Sequence, residues 1–196
     1  MVTSQPTLDN SAGVDRDHAL VWRHRLLLDD AEVVRAAAAR AAEQSASPAD
    51  VDALLEAARL DPSQSVSEQA ISALGAIATR KAITGLGDLW AGAGDETREA
   101  IVRAWSHAML LNSERGKDAG SRERLRKVAQ GQAGRLATLA ALGLLEASQQ
   151  VGEDEQTAII LAVALRALQN ESAPVKVDVL ERIDLRWPGV REAVRK

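Results

Sequence analysis

Apolar residues recur along this chain every three to four positions, the spacing that gathers them on one face of an α-helix. The first such face, over about residues 18–28, carries Leu20, Val21, His24, Leu27 and Leu28. Short polar loops separate further segments of this kind, at about 31–43, 48–58, 66–78, 81–90, 95–111, 121–130, 137–148, 154–169, 173–185 and 188–195. No segment outside them alternates apolar and polar residues as a half-buried strand does. The pattern therefore predicts an all-α protein.

One helical segment occurs five times with a similar order of residue types. Its copies begin at Val34, Val66, Thr97, Gly134 and Val175, so their starts are 32, 31, 37 and 41 residues apart. A period of this length is typical of stacked helical hairpins. Each copy forms a pair with the helix that follows it. The sequence therefore predicts four to five helical pairs stacked in one array.

Two slots within the copies have a constant chemistry. The second slot is basic in four of the five copies, which carry Arg35, Arg98, Arg135 and Lys176. The slot seven residues after the start is small in four copies, which carry Ala41, Ala73, Ala104 and Ala141. Small residues at helical spacing allow neighbouring pairs to stack closely. The last copy has Arg182 in that slot, which makes it a candidate capping repeat.

The first two copies also share an upstream dipeptide, Leu28-Asp29 and Leu60-Asp61. The whole pattern, Leu-Asp and then Val-Arg-x-x-Ala-x-x-Ala-Leu-Gly, resembles the HEAT repeat over about residues 29–184. The same pattern also resembles the bacterial HEAT-like repeats of the phycobilisome-lyase type. The resemblance implies a right-handed α-solenoid. It also implies a ladder between neighbouring pairs, built here from Asp29, Asp61, Arg35, Arg98 and Arg135.

The composition agrees with close-packed helices. Hydrophobic residues make up 46% of the chain, yet there is no Phe or Tyr and there are only four Trp. Ala- and Leu-rich chains favour helices and disfavour sheets. Trp90 and Trp105 fall in apolar stripes and are predicted to be core residues, whereas Trp187 is the expected exposed aromatic. The net charge of −4 is too small to recruit nucleic acid or an anionic membrane by itself.

The domain organisation is expected to be simple. Residues 1–17 are polar and are predicted to form a disordered tail, followed by a single solenoid over residues 18–196. The longest apolar run, 158–165, is too short to span a membrane, and the N-terminus lacks the features of a signal peptide. A cytoplasmic location is the resulting expectation.

The residues for catalysis or metal binding are missing from the sequence. There is no Cys, which excludes thiolate nucleophiles and Cys-ligated metal sites. The three histidines, His18, His24 and His107, form no His-Glu dipeptide of the kind found in di-iron HEAT-like enzymes, and His18 and His24 are expected to be solvated. No histidine is expected to be oriented by a carboxylate, and no Gly-x-Ser-x-Gly or phosphate-binding loop is present. We therefore predict a non-enzymatic protein without catalytic residues, cofactor or metal.

One basic cluster leaves an alternative open. It consists of Arg115, Lys117, Arg122, Arg124, Arg126, Lys127 and Arg135 and is offset by Glu114, Asp118 and Glu123. A nucleic-acid-binding or DNA-glycosylase-like HEAT protein would need such cations along its groove. Because the cations are confined to the third pair, a solvated helix face or an acidic protein partner is the preferred interpretation.

The favoured function is a protein-interaction module or scaffold that binds an unidentified protein on its concave face. The second helices of the pairs are expected to line that face. The partner-binding residues predicted to point outward from it are Asp52, Glu56, Lys81, Asp88, Arg122, Arg124 and Lys127. Self-association through the apolar helix 157–168 is a further possibility, with burial between the fourth and fifth pairs as its alternative.

Overall fold

The computed structural model describes residues 21, 23–24, 27–114, 120–132, 134–151 and 177. Over these residues the secondary structure is helical and contains no strand, so the predicted fold class is confirmed. Several predictions concern other parts of the chain. Outside the described residues lie the tail 1–17, the apolar helix 157–168, Trp187 and the final helical pair, of which only residue 177 is described.

Seven α-helices are described. They are α1 (Glu32–Ser45), α2 (Val51–Leu60), α3 (Gln64–Ile77), α4 (Arg80–Trp90), α5 (Asp95–Glu114), α6 (Ser121–Gly131) and α7 (Gly134–Val151). A single 3-10 turn, Pro48–Asp50, precedes α2. The helices form three complete pairs and the first helix of a fourth, in the order that the repeats predict.

Equivalent helices end in equivalent ways. Both α1 and α3 are closed by a residue in the left-handed conformation, Ala46 with φ 45° and Ala78 with φ 53°. Each donates its N–H to the carbonyl four residues earlier, a C-terminal arrangement that glycine usually provides. The Ala78 carbonyl accepts a hydrogen bond of 3.0 Å from the side-chain amide of Asn112. The turns after α1 and α3 therefore have the same backbone geometry.

The helices pack in two layers. The first helices α1, α3, α5 and α7 contact one another in sequence, while α2 and α6 each pack against the first helix of the following pair. A continuous apolar core runs between the layers, and its largest fully buried side chains include Leu54, Ile71, Leu74 and Leu86. This arrangement, in which each pair contacts its neighbours, is that of an α-solenoid.

The close stacking predicted at the slot with small residues is confirmed in three copies and is wrong in one. Ala73, Ala104 and Ala141 are buried, and a Cβ added to Gly75 would lie only 2.8 Å from the Cα of Ala104. Ala41, in contrast, is exposed, so its predicted stacking role is wrong. The contact of Ala104 with Gly75 shows that this slot faces the preceding first helix. Among the described helices, α1 has no preceding first helix to cover it.

The two central tryptophans lie where the sequence predicts. Trp105 is buried and donates its indole N–H to the carbonyl of Ile83 over 3.4 Å. Trp90 is partly buried and stacks on it, with 5.5 Å between the ring centroids. The pair joins the end of α4 to the middle of α5 and closes the second-helix side of the solenoid at that point.

Candidate interaction surface

Arg35 joins three separate segments near the N-terminal end of the described chain. Its Nε and Nη2 donate to the two carboxylate oxygens of Asp61 over 2.7 and 3.0 Å. Its Nη1 donates to the backbone carbonyls of Asp29 and Asp30 over 2.8 and 3.0 Å. A bidentate guanidinium–carboxylate contact is strong and fixes its geometry. Arg35 therefore holds the 29–30 loop, α1 and the junction between α2 and α3 together.

The same contacts shift the titration of both partners. Hydrogen bonding from the Arg35 side chain lowers the pKa of Asp61, and the N–H of Ser63 adds to this effect while burial opposes it. Hydrogen bonding to Asp61 raises the pKa of Arg35. Both side chains are largely shielded from solvent. The pair is therefore ionised at neutral pH and contributes to the stability of the fold.

A second polar contact anchors residues 23 and 24 to the turn before α2. The fully buried Asp50 carboxylate lies 3.1 Å from Nη2 of Arg23 and 3.2 Å from Nε2 of His24. The hydroxyl of Ser45 donates to the same carboxylate over 3.3 Å. The expectations that His24 is merely solvated and that no histidine contacts a carboxylate are therefore wrong. The contact joins residues 26 positions apart, which local sequence patterns do not reveal.

This cluster does not have the arrangement of a nucleophilic site. In a Ser-His-Asp triad the histidine lies between the serine and the carboxylate. Here the Asp50 carboxylate lies between Ser45 and His24, and the Ser45 hydroxyl also contacts the carbonyl of Ala42. The cluster therefore fixes the position of residues 23 and 24 against α2.

An open groove of about 650 Å³ lies between residues 24 and 27–30 on one side and α2 on the other, and we call it the α2 groove. Its apolar lining includes Leu28, Ala53, Ala57 and Leu60. Its charged lining consists of the carboxylates of Asp29, Asp30, Asp52, Glu56 and Asp61, with Arg35 and His24. The contacts of Arg35 and Asp50 hold the two walls, so the groove combines a fixed frame, apolar side chains and an acidic rim.

The two leucines of the groove occupy equivalent places in the repeat. Leu28 is 78% exposed and Leu60 is 68% exposed, and each precedes an aspartate that accepts the backbone N–H two residues later. The sequence predicts Leu28 on the apolar face of its helix, but among the described residues of that face only its neighbour Leu27 is buried. The aspartate turns carry both leucines into solvent. The repeated Leu-Asp dipeptide is a sequence signal for both leucines, although the repeat pattern predicts a role only for its aspartate.

The first four residues of the predicted partner-binding set lie on the second helices α2 and α4, as expected. Asp52, Glu56, Lys81 and Asp88 are all exposed. Asp52 of α2 and Lys81 of α4 contact each other across neighbouring second helices, with 2.6 Å between the ionic groups. Of the four, Asp52 and Glu56 line the α2 groove, whereas Lys81 and Asp88 do not.

The other three residues of that set lie on α6, where Arg124 and Lys127 contact other groups of the protein. Arg124 does not point outward as predicted: its guanidinium lies 5.7 Å from the ring centroid of Trp105 and packs against Gly87. Lys127 is exposed, and its Nζ lies 3.5 Å from a carboxylate oxygen of Glu123. Arg122 is only partly exposed. Because the stacked tryptophans offer Arg124 an aromatic face, its charge is drawn towards the core.

The predicted ladder has one complete rung. Arg35 and Asp61 form it between the first two copies, whereas Ser67 takes the basic slot of the second copy and donates to the carbonyl of Ala58. Arg98 lies over the Trp90 ring at 5.5 Å. Arg135 pairs with Glu99 at 3.0 Å instead of an aspartate of the pattern. The later rungs fail because the upstream Leu-Asp is present only in the first two copies.

The described residues offer little support for other classes of site. No group of three or more His, Asp or Glu residues among them is arranged to hold a metal ion. In the part of the chain that the structure describes, no helix has the length and apolar character needed to cross a membrane. The cytoplasmic location stays a prediction.

Comparison with known proteins identifies the repeat. No curated protein gives a significant match to the chain. The family model for HEAT repeats matches residues 20–106, the segment that contains the α2 groove and the first helical pairs. The likeness to the phycobilisome-lyase type in particular stays a prediction. Residues 20–106 therefore carry HEAT repeats.

Proposed function

We propose that this protein is a non-enzymatic scaffold that binds a partner protein on the second-helix side of its solenoid, at the α2 groove. HEAT repeats generally serve as protein-interaction scaffolds, which supports the general role. The observation that carries the proposal is an open groove whose frame is fixed by Arg35 and Asp50 and whose edges present Leu28 and Leu60 to solvent.

Two exposed leucines beside one groove are suited to anchor a partner. Burying one leucine side chain contributes about 1.5–3 kcal/mol, and a few such residues dominate the energy of a typical interface. The surrounding carboxylates form the polar rim that such an apolar centre usually has. Since the walls are already held in place, binding needs little ordering of the groove itself.

The third pair gives less support to the nucleic-acid alternative. Neutralising successive phosphates requires cations that are available along one surface. On α6, Arg126 and Lys127 contact the carboxylate of Glu123, and Arg124 stacks on Trp105. The α2 groove is therefore the surface on which we base the proposed function.

The proposal is tested by affinity capture with the full chain as bait. The double variant Leu28→Ser/Leu60→Ser removes both anchors, and because both leucines are exposed the fold should be retained. We expect the proteins that the wild type captures from lysate of the source organism to be lost from the double variant. Circular dichroism and the thermal midpoint of unfolding verify that the variant is folded.

The matched control is Val33→Ser. Val33 is 75% exposed, lies on α1 and does not line the groove. It therefore removes a comparable exposed apolar side chain from another surface. Equal capture by the wild type, the control and the double variant would contradict binding at the α2 groove.

A further inference from the structure

We propose that the α2 groove binds a cationic amphipathic segment of its partner, with apolar side chains between Leu28 and Leu60 and Lys or Arg side chains facing the rim. This inference rests on the proposed function and specifies the chemistry of the partner. It follows from the charges of the groove and from which of them are already neutralised within the protein.

The charged lining of the groove is strongly acidic. Five carboxylates and one guanidinium line it, together with His24. Arg35 forms its bidentate contact with Asp61, and its charge also interacts with Asp29, so these two carboxylates of the rim are compensated within the protein. Asp52 has its partner in Lys81, which lies outside the groove. The acidic rim is therefore only partly compensated.

Asp30 and Glu56 are the carboxylates that a partner would meet. Both are exposed, and within the described part of the chain neither forms an ion pair. They lie on opposite walls, Asp30 in the loop before α1 and Glu56 on α2. A ligand lying along the apolar lining thus passes between two unpaired negative charges. Electrostatic complementarity favours a cationic ligand and speeds its association.

Helix α6 and the N-terminal segment of the chain are poorer sources of these cations. The basic residues of α6 would have to come from a second copy, but Arg126 and Lys127 contact Glu123, and Arg124 lies over Trp105. The first 20 residues of the chain contain three Asp and a single Arg, so their charge matches that of the rim instead of complementing it. A segment of another protein is the occupant that the charges favour.

The test measures binding of two defined probes to the full chain by fluorescence anisotropy. One is a short amphipathic peptide of Leu and Lys in helical register, and the other replaces every Lys by Glu. We expect the Leu/Lys peptide to bind, to weaken as salt is raised, and to bind far more tightly than the Leu/Glu peptide. Leu60→Ser should weaken its binding about tenfold through the lost apolar contact.

Charge reversal tests the rim directly. Asp30→Lys/Glu56→Lys should weaken binding of the Leu/Lys peptide about tenfold. The control Asp88→Lys/Glu96→Lys changes the net charge equally at exposed residues outside the groove and should leave the affinity within about twofold. Equal weakening by both double variants would show attraction by net charge alone and would overturn the inference.

Other outcomes separate this inference from the proposed function. Tight binding of the Leu/Glu peptide, or a dimer in sedimentation equilibrium that Asp30→Lys/Glu56→Lys dissociates, would overturn the cationic partner and leave the groove as an interaction site. Capture that is lost in Leu60→Ser but unchanged in Asp30→Lys/Glu56→Lys would likewise overturn the cationic partner and leave the groove as an interaction site. If Leu28→Ser/Leu60→Ser affects neither capture nor peptide binding, both proposals fail.

Discussion

In the layer of first helices, the first junction lies between α1 and α3 and the second between α3 and α5. The two junctions carry opposite kinds of residue at the same slot of the repeat. Between α1 and α3 the slot holds Glu43, which accepts hydrogen bonds from the side chains of Gln69 and Ser72 over 2.6 and 2.8 Å. Between α3 and α5 it holds Gly75, and the missing side chain allows the backbone of Ala104 to approach. The first junction is polar and part-buried, whereas the second is a direct contact of two helices.

The second-helix side shows the same contrast. At the first junction Arg35 and Asp61 join the segments, and the α2 groove stays open to solvent beside them. At the second junction the stacked Trp90 and Trp105 fill the corresponding region, with Arg98 and Arg124 over their faces. A repeat can thus keep its stacking while exchanging apolar for polar contacts, and on the second-helix side the α2 groove lies open beside the polar junction.

The largest expected effect comes from filling the close contact of the second junction. Gly75→Val places its Cβ against the backbone of Ala104, and we expect the free energy of unfolding in urea to fall by about 3 kcal/mol, as in overpacked cores. The control is Gly92→Val, because a Cβ at Gly92 meets no other group within 4 Å. If both variants lose the same stability, the close approach at Gly75 is unimportant.

Removing the charge at the first junction should have a smaller effect that depends on pH. Asp61→Asn weakens a charge-assisted contact with Arg35, and we expect a loss of about 2 kcal/mol in the free energy of unfolding at neutral pH. The pKa of Asp61 is lowered from its ordinary value of 3.8 in the folded state, so the ionised carboxylate stabilises the fold above that pH.

The stability from Asp61 is then lost as pH falls below 3.8 and through the lowered pKa of the folded state. Urea titrations at several pH values should therefore show the difference between wild type and Asp61→Asn shrinking in that range. Asp30→Asn serves as the control, since Asp30 is exposed and no ion pair is found for it in the described residues. A difference that is constant with pH would argue against the ion pair as its source.

The smallest effect is expected at the polar slot itself. Glu43→Gln keeps one acceptor oxygen but presents an NH2 group to a donor, so we expect a loss of about 1 kcal/mol. A double-mutant cycle with Ser72→Ala, measured by urea unfolding, isolates the contact between the two side chains. Additive losses would indicate that Glu43 and Ser72 do not interact, and the contrast with Gly75 would lose its meaning.

The sequence predicted the helices well because each one carries its own periodic pattern and its own boundary signals. The repeat period placed α1 to α7 in the right order, and the small slot predicted burial of Ala73, Ala104 and Ala141. The ladder was predicted correctly where both of its residues recur in the pattern, at Arg35 and Asp61. Arg98 and Arg135 occupy the same slot but have different partners, since the pattern does not supply their aspartates.

The candidate site was only partly predictable. Asp52 and Glu56 were assigned to the binding surface because a second helix must leave one face in solvent, and both line the α2 groove. Leu28 and Leu60 were missed because an apolar residue at helical spacing is ordinarily a core residue. The contact of His24 with Asp50 and the stacking of Arg124 on Trp105 join residues far apart in the chain, where no local pattern connects them.

The sequence by itself determined the fold class, the order and approximate limits of the described helices, and which slots face their neighbours. These properties follow from periodicity and side-chain size, which act within one or two repeats. Only the tertiary structure decided which of the recurring charged residues form an ion pair of the ladder, which lie over an aromatic ring and which line the α2 groove. That outcome depends on which groups meet when the pairs stack, and on the turns that carry Leu28 and Leu60 into solvent beside the carboxylates of the groove.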